Sequence, residues 1–193
     1  RRGGQQAGAV RIYSTKLNDN NPMQITITII LLITTLYLLT QLYHYKFQNR
    51  ALWFPSPSHI RQAIINHLEL QPGQIFAELG AGTGTLARLL AKKYPTNQIY
   101  AYEISYLPFL LGSLLAGRHP NLNFISGNLI KADLNMVDYF FVFTNDESMA
   151  QLATKLQKHP KAATLYSYQF QLPNHQASQI ITTPKHPIYI YQL

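Results

Sequence analysis

The sequence predicts an α/β fold: a single doubly wound, mostly parallel sheet with a C-terminal antiparallel hairpin, preceded by one transmembrane helix. Three observations lead to this prediction. From residue 58 onward, short apolar runs of strand length alternate with stretches of helical periodicity. Near the C-terminus, two apolar runs are joined by a short turn, Pro184–Pro187. Near the N-terminus, residues 25–43 form an apolar run without any charged residue.

These patterns divide the chain into four segments. Residues 1–22 are polar and rich in Gly, Gln and Asn, so we expect a disordered tail. Residues 23–46 are predicted to form the anchor helix, 47–57 a linker and 58–193 the globular domain. The tail is interpreted either as a mitochondrial presequence, since its first sixteen residues lack acidic groups, or as residues that precede a native start at Met23. The expected location is the mitochondrial inner membrane in the first case, and the bacterial cytoplasmic membrane with a cytosolic domain in the second.

The apolar run Ile25–Tyr43 has the length of a membrane span. At 1.5 Å per residue, a helix of this length extends about 28 Å, close to the thickness of the hydrocarbon layer. Its five threonines lower the hydropathy, but a helix can accept their hydroxyl groups on its own carbonyl oxygens. Aromatic residues suited to a membrane interface are Tyr37, Tyr43, Tyr45 and Trp53. An uncleaved signal sequence and a helix buried in a partner complex remain alternatives.

The predicted strands of the domain are short apolar runs bounded by turn residues. They are Ile75–Leu79, Ile99–Glu103, Asn123–Ser126, Tyr139–Phe143 and Thr164–Tyr168, followed by the hairpin strands Gln179–Thr183 and Ile188–Tyr191. Each parallel strand is followed by or preceded by a helical pattern, which is typical of one doubly wound domain.

The predicted helices each carry one apolar face. Ser58 is expected to cap the first helix, Pro108 to begin the third and Asp146 to cap the fourth. The expected buried residues are Ile60, Ala63, Ile64 and Leu68 in the first helix, Leu86, Leu89 and Leu90 in the second, Leu107, Leu110, Leu111, Leu114 and Leu115 in the third, and Met149, Leu152, Ala153 and Leu156 in the fourth.

The charge distribution favours a lipid bilayer over nucleic acid as a partner. The net charge is +8, of which residues 1–53 contribute +5 and residues 54–193 only +3. Most of the charge therefore flanks the apolar segment and does not form a phosphate-binding face. The chain has no cysteine, which excludes disulfides and thiolate chemistry, and its seven histidines show no ligand spacing. We therefore predict no metal site.

A glycine-rich loop follows the first predicted strand. Gly80, Gly82 and Gly84 allow a tight turn and a close approach of a ligand to the backbone, and Thr83 lies within the same loop. The spacing is G-x-G-x-G, which differs from the G-x-G-x-x-G of dinucleotide-binding proteins. Glu78 is poorly suited to a pyrophosphate, but it suits the ammonium group of a methionine moiety. The loop therefore predicts S-adenosyl-L-methionine as the cofactor.

Further cofactor contacts are expected beyond the next two strands. Glu103 ends the second strand, about twenty residues after the loop, where doubly wound folds place a carboxylate on ribose hydroxyls. Asn128 follows the third strand and can bond the exocyclic amine of adenine. Ile104 and Leu129 are expected to sandwich the adenine ring.

These motifs resemble those of class I S-adenosylmethionine-dependent methyltransferases. The resemblance spans residues 54–193 and is carried by Phe76–Gly84, by Tyr102–Ser105 and by the order of strands and helices. With the anchor helix, the segments Phe54–Pro57, Tyr102–Pro108 and Tyr168–Pro173 resemble small membrane-anchored bacterial methyltransferases. That group is related to the mitochondrial lysine methyltransferases of the ATP synthase c subunit and the adenine nucleotide carrier.

The sequence departs from the family pattern at three positions. Family members usually carry Asp at the position of Glu78, often Asp in place of Thr83, and usually Asp in place of Asn128. All three replacements keep a hydrogen-bonding side chain, so we expect weaker cofactor binding and not its loss.

Candidate catalytic residues follow the fourth strand. A lysine acceptor must lose a proton before transfer, and we expect Asp146 or Glu147 to orient the amine, with Asn145 offering its carbonyl oxygen. A purely structural cap by Asp146 remains an equal alternative. The resemblance implies an N-methyltransferase directed at lysine in a membrane-associated protein. A lipid or small-amine acceptor, and a non-catalytic subunit of a membrane complex, are the alternatives.

Overall fold

The computed structural model describes residues 21–48 and 55–193. The predictions for tail residues 1–20 and for linker residues 49–54, including Trp53, lie outside the described residues. The chain divides into two compact units, one ending at Tyr43 and the other running from His44 to Leu193. Each unit is described by itself.

Helix α1 (Pro22–Gln48) contains the predicted span. Within the described part of the chain, Pro22–Tyr43 is the one helix long and apolar enough to cross a membrane, and a signal sequence near an N-terminus has the same properties. Hydroxyl groups return to the helix's own carbonyl oxygens at Thr26, Thr28, Thr34 and Thr40, with distances of 2.8, 2.9, 2.8 and 2.7 Å. These bonds satisfy four of the five threonine hydroxyl groups that lower the hydropathy of the segment.

The second unit is built on one seven-stranded sheet, as predicted. In chain order the strands are β1 (Ile75–Leu79), β2 (Gln98–Glu103), β3 (Leu122–Ser126), β4 (Tyr139–Val142), β5 (Thr164–Tyr168), β6 (Gln179–Ile181) and β7 (Ile188–Gln192). The spatial order is β3-β2-β1-β4-β5-β7-β6. The first five strands are parallel to one another, whereas β7 is antiparallel to both β5 and β6. The C-terminal hairpin is therefore confirmed, and its second strand lies inside the sheet.

Helices cover both faces of the sheet. The elements are α2 (Ser58–His67), α3 (Thr85–Lys93), α4 (Tyr106–Ala116) and α5 (Asp146–Leu156). One core contains Ile64 of α2 and Leu90 of α3, packed with Phe76 of β1. The other core contains Met149 of α5, packed with Leu79 of β1. Because side chains alternate along a strand, β1 contributes to both cores, as expected for a central strand of a doubly wound sheet.

Three predicted helix starts are wrong. The N-cap of α2 is Pro57 and that of α5 is Asn145, so Ser58 and Asp146 are instead the first helical residues. The Asn145 side chain accepts a hydrogen bond from the Ser148 N–H at 2.9 Å. Asn is as good a cap as Asp, and sequence alone does not choose between neighbours. Helix α4 begins at Tyr106, so Pro108 lies within its first turn, where a missing N–H is tolerated.

The predicted buried face of α4 is also wrong. Its five leucines are 39–71% exposed, while Pro108, Gly112 and Ala116 are buried. These three residues recur every four positions, and Gly112 lets the helix approach the sheet closely: a Cβ there would come within 2.2 Å of the Phe124 ring. Leu89 in α3 is likewise 42% exposed. The buried face of α5 is confirmed.

Candidate active site

The site residues lie where the strand order reverses. Strand β1 neighbours β2 on one side and β4 on the other. The loops that leave the carboxyl ends of β1 and β4 therefore diverge and open a crevice, which is where open α/β sheets bind ligands. The loop Gly80–Gly84 follows β1, and Phe143 follows β4. Both contribute to the same pocket.

The glycine loop has a backbone that requires glycine. Gly80, Gly82 and Gly84 have φ values of 80°, 58° and 67°, in the left-handed region. Gly84 is the N-cap of α3 and packs against the Phe124 ring of β3, since a Cβ on Gly84 would come within 2.3 Å of that ring. The loop thus turns sharply from strand to helix and leaves the N-terminal N–H groups of α3 near the crevice.

Glu78 lies at the end of β1 and is 4% exposed. One of its carboxylate oxygens accepts a hydrogen bond from the Ala87 N–H in the first turn of α3, at 2.9 Å. Burial is the main cause that raises the pKa of Glu78 to about 8, and the Ala87 bond and the positive charge of Arg88 oppose this rise. The carboxyl group is therefore largely protonated at neutral pH, and an approaching cation would favour its ionised form.

Glu103, the last residue of β2, connects the glycine loop to the segment that follows β2. It is 4% exposed, its Oε2 accepts a hydrogen bond from the Gly82 N–H at 2.7 Å and its Oε1 accepts one from the Ser105 N–H at 2.6 Å. A carboxylate has about four acceptor sites, so two remain for ligand hydroxyls. Glu103 therefore holds the glycine loop in place and keeps the capacity to bind a ribose.

Sequence analysis missed Arg61, which contributes a positive charge to this pocket. Arg61 is half-buried on α2, and its guanidinium donates to the Ser56 carbonyl oxygen. The pocket is lined by Pro55, Ser56, Arg61, Glu78, Gly80, Ala81, Thr83, Thr85, Leu86 and Phe143. One feature of the sequence could have indicated Arg61 as a site residue: it is charged, yet it directly follows Ile60, which is fully buried. Its significance depends on α2 packing over β1, which the pattern alone does not reveal.

The predicted adenine-side residues follow β2 and β3. Asn128 is exposed, and its side-chain oxygen accepts a hydrogen bond from the Ile130 N–H at 2.9 Å. Ile104 is 37% exposed, while Leu129 is half-buried and packs against the second core. These residues do not line the pocket that contains Glu78. Their role in adenine binding stays a prediction.

The three predicted catalytic residues lie together at the start of α5. Asp146 and Glu147 are exposed in its first turn, where they also complement the helix dipole, and Asn145 is the cap. They too lie outside the pocket around Glu78. Phe143, which lines that pocket, and the buried Tyr168 form a tilted aromatic pair with ring centroids 4.9 Å apart. The aromatic pair lies at the carboxyl ends of β4 and β5.

No protein-family model matches the sequence. The chain is 26% identical over 86 residues to acetylserotonin O-methyltransferase of Mus musculus. That match covers 40% of this chain and spans about a fifth of the length of the mouse enzyme, 21%.

Several solved methyltransferase structures are similar in fold to this chain. An RNA methyltransferase from Salinibacter ruber, in complex with S-adenosyl-L-homocysteine, aligns with a TM-score of 0.63 at 15% identity, covering 72% of this chain and 93% of that one. A SAM-dependent methyltransferase from Aquifex aeolicus aligns with a TM-score of 0.56 at 14% identity, covering 71% and 93%. A precorrin-6y C5,15-methyltransferase from Geobacter metallireducens aligns with a TM-score of 0.57 at 13% identity, covering 71% of this chain and 88% of that one.

Each of these alignments covers more than two thirds of this chain. The second unit of the chain has the fold of the class I S-adenosylmethionine-dependent methyltransferases.

Proposed function

We propose that the protein is an S-adenosylmethionine-dependent N-methyltransferase, held at a membrane by α1, that acts on lysine in a membrane-associated protein. The observation that carries the cofactor assignment is the loop Gly80–Gly84 between β1 and α3, with the carboxylates of Glu78 and Glu103 on either side. The lysine acceptor is supported by the family resemblance and by the apolar α1.

The charges of the pocket suit the amino-acid end of the cofactor. Glu78 offers a carboxylate for the ammonium group, and Arg61 offers a guanidinium for the carboxylate. Glu103 would hold the ribose hydroxyls, with Asn128 on the adenine side. S-adenosylmethionine supplies an electrophilic methyl group on a sulfonium. The residues present therefore fit this group.

The acceptor is proposed to enter along the carboxyl ends of β4 and β5. Asp146 and Glu147 would orient an incoming lysine, and one of the two carboxylates would accept the proton that its ammonium must lose, since a neutral amine is the nucleophile. The aromatic pair of Phe143 and Tyr168 would wall the approach to the pocket. These residues would thus hold the amine in line with the methyl group that the bound cofactor would supply.

Ligand binding tests the cofactor assignment directly. We expect S-adenosylmethionine and S-adenosylhomocysteine to raise the melting temperature of the full chain in detergent, since a ligand at a hundred times its Kd stabilises a protein by about 2.7 kcal/mol. NADH, a matched dinucleotide, should give no shift because the loop lacks the G-x-G-x-x-G spacing. Absence of a shift with millimolar S-adenosylmethionine would contradict the assignment.

Transfer of label tests the acceptor. We expect radiolabelled methyl groups to enter membrane protein as methyllysine when the full chain is incubated with membranes of the source organism. Label in the lipid extract would instead establish the lipid alternative, and label in RNA would establish a nucleic-acid substrate. Cofactor binding without any transfer would favour a non-catalytic subunit.

The raised pKa of Glu78 predicts pH-dependent cofactor binding. An ammonium favours the ionised carboxyl, so binding releases a proton while the pH is below about 8. S-adenosylhomocysteine should therefore bind more tightly as the pH rises between about 5.5 and 7, by up to about tenfold per pH unit, with the ligand amine still charged. Titration calorimetry measures the affinity. In Glu78→Gln the pH dependence should be lost, and a slope unchanged from the parent chain would rule out the pairing with the ammonium.

A further inference from the structure

Helix α4 has an exposed face made of apolar side chains. We define the α4 outer face as Tyr106, Leu107, Leu110, Leu111, Leu114 and Leu115, which are 39–73% exposed. At 100° per residue these positions cover about half of the helix circumference, opposite the buried Pro108, Gly112 and Ala116. The outward side of a surface helix is ordinarily polar. Covering the α4 outer face with an apolar surface would therefore be favourable, because it would remove these side chains from water.

The α4 outer face is continuous with the candidate active site. Glu103, which holds the glycine loop, is followed by Ile104, and Ile104 is 37% exposed immediately before α4 begins. The first turn of α4 thus starts at the edge where the cofactor is proposed to bind. Whatever covers the α4 outer face also lies next to the cofactor crevice.

The charge around α4 is positive. Residues 104–132 contain no acidic residue, whereas Arg118 and Lys131 are basic and exposed. An apolar helix face within a stretch of chain that has exposed basic residues and no acidic ones is complementary to an anionic lipid surface.

The covalent connection keeps this domain near a bilayer that contains α1. Nine residues separate the end of α1 at Gln48 from the start of α2 at Ser58. Even a fully extended chain of this length reaches only about 33 Å. A weak affinity of the domain for lipid is then sufficient, because the effective concentration of the surface is high.

We propose that the α4 outer face is a membrane-docking surface, which inserts into the interfacial layer of the bilayer that holds α1 and places the cofactor crevice at the lipid surface. This inference rests on the membrane anchoring in the proposed function. The only polar side-chain group of the face is the Tyr106 hydroxyl, so the face lacks the hydrogen-bonding groups that orient a protein partner. Fluid lipid needs no such groups, and this favours a bilayer over a second copy of the chain.

A single fluorescent label measures the depth of α4. Since the chain has no cysteine, Leu114→Cys provides a unique attachment site at a residue that is 71% exposed. The labelled full chain is reconstituted in vesicles of phosphatidylcholine and phosphatidylglycerol. Ile180→Cys is the matched control, since Ile180 is apolar, 55% exposed and lies on β6 at the opposite edge of the sheet.

We expect lipid-borne nitroxide to quench the Leu114 label, and aqueous iodide to quench it severalfold less than the Ile180 label. Adding Leu111→Glu to the labelled chain should reduce quenching of the Leu114 label by nitroxide and increase its quenching by iodide. The melting temperature should be unchanged because Leu111 is exposed. Equal iodide quenching at the two sites overturns the proposal. So does protection of the Leu114 label without lipid-borne quenching, which would mean that a second copy or another protein segment covers α4.

The same vesicles separate failure of this inference from failure of the proposed function. Loss of the anchor would prevent the protein from floating with vesicles at all. A chain that floats and binds S-adenosylhomocysteine, but whose Leu114 label stays in water, would contradict only the docking of α4.

Discussion

Gly84→Ala is expected to lower the free energy of unfolding by about 3 kcal/mol and to weaken cofactor binding. Gly84 has a φ of 67°, and a left-handed backbone costs an L-residue about 1–2 kcal/mol. Its Cβ would also lie 2.3 Å from Cε2 of Phe124. That ring has little room to move because Gly112 packs against it, and overpacking of this kind costs about 1–3 kcal/mol. Chemical denaturation of the two chains measures the difference.

Gly73→Ala is the matched control. Gly73 has a φ of 85°, but a Cβ there would meet no atom within 4 Å, so only backbone strain remains. We expect a loss of about 1 kcal/mol. Gly84→Ala should cost less stability in a chain that also carries Phe124→Leu than in the parent chain. The cost in that background is the difference between the double variant and Phe124→Leu alone. Equal losses in the two glycine variants would show that contact with Phe124 contributes nothing.

Glu103→Gln is expected to weaken S-adenosylhomocysteine binding by about a hundredfold. The carboxylate accepts hydrogen bonds from the N–H groups of Gly82 and Ser105, at 2.7 and 2.6 Å. An amide replaces one acceptor oxygen by a donor that faces an N–H, and it loses a negative charge beside the proposed ribose. Loss of charge-assisted bonds costs about 1.5–3 kcal/mol, and each 1.4 kcal/mol is a tenfold change in affinity.

Titration calorimetry on Glu103→Gln and Glu69→Gln checks this expectation. Glu69 is an exposed carboxylate that precedes the amino end of β1, whereas the glycine loop follows its carboxyl end, so the Glu69 variant should bind like the parent chain. A Glu103→Gln protein with an intact fold and unchanged affinity would remove Glu103 from the cofactor site and leave it a purely structural role.

Local patterns in the sequence were sufficient for the sheet. The bounds of β1 and β5 were predicted to the residue, because each is an apolar run between clear turn residues. The placement of Gly82 beside Glu103 was also foreseeable, since both follow neighbouring parallel strands and their loops meet at one edge. Such features depend on chain order and on strand pairing, which sequence encodes directly.

The buried face of α4 could not be predicted in this way. An apolar helix gives no periodic signal, so its orientation is decided by which residues let the helix approach the sheet. Gly112 faces Phe124 because a small residue is needed there, and the leucines are displaced outward. Arg61 was missed for a related reason: it lines the same pocket as Glu78 because α2 packs into the core that β1 shares.

The place of β7 within the sheet makes the attachment of β6 depend on it. Strand β6 pairs with β7 and not with β5, although it precedes β7 in the chain. Strand β6 is therefore joined to the rest of the sheet only through β7. A chain shortened before Ile188 would lose both strands and expose a long edge at β5, where another copy could pair and aggregate.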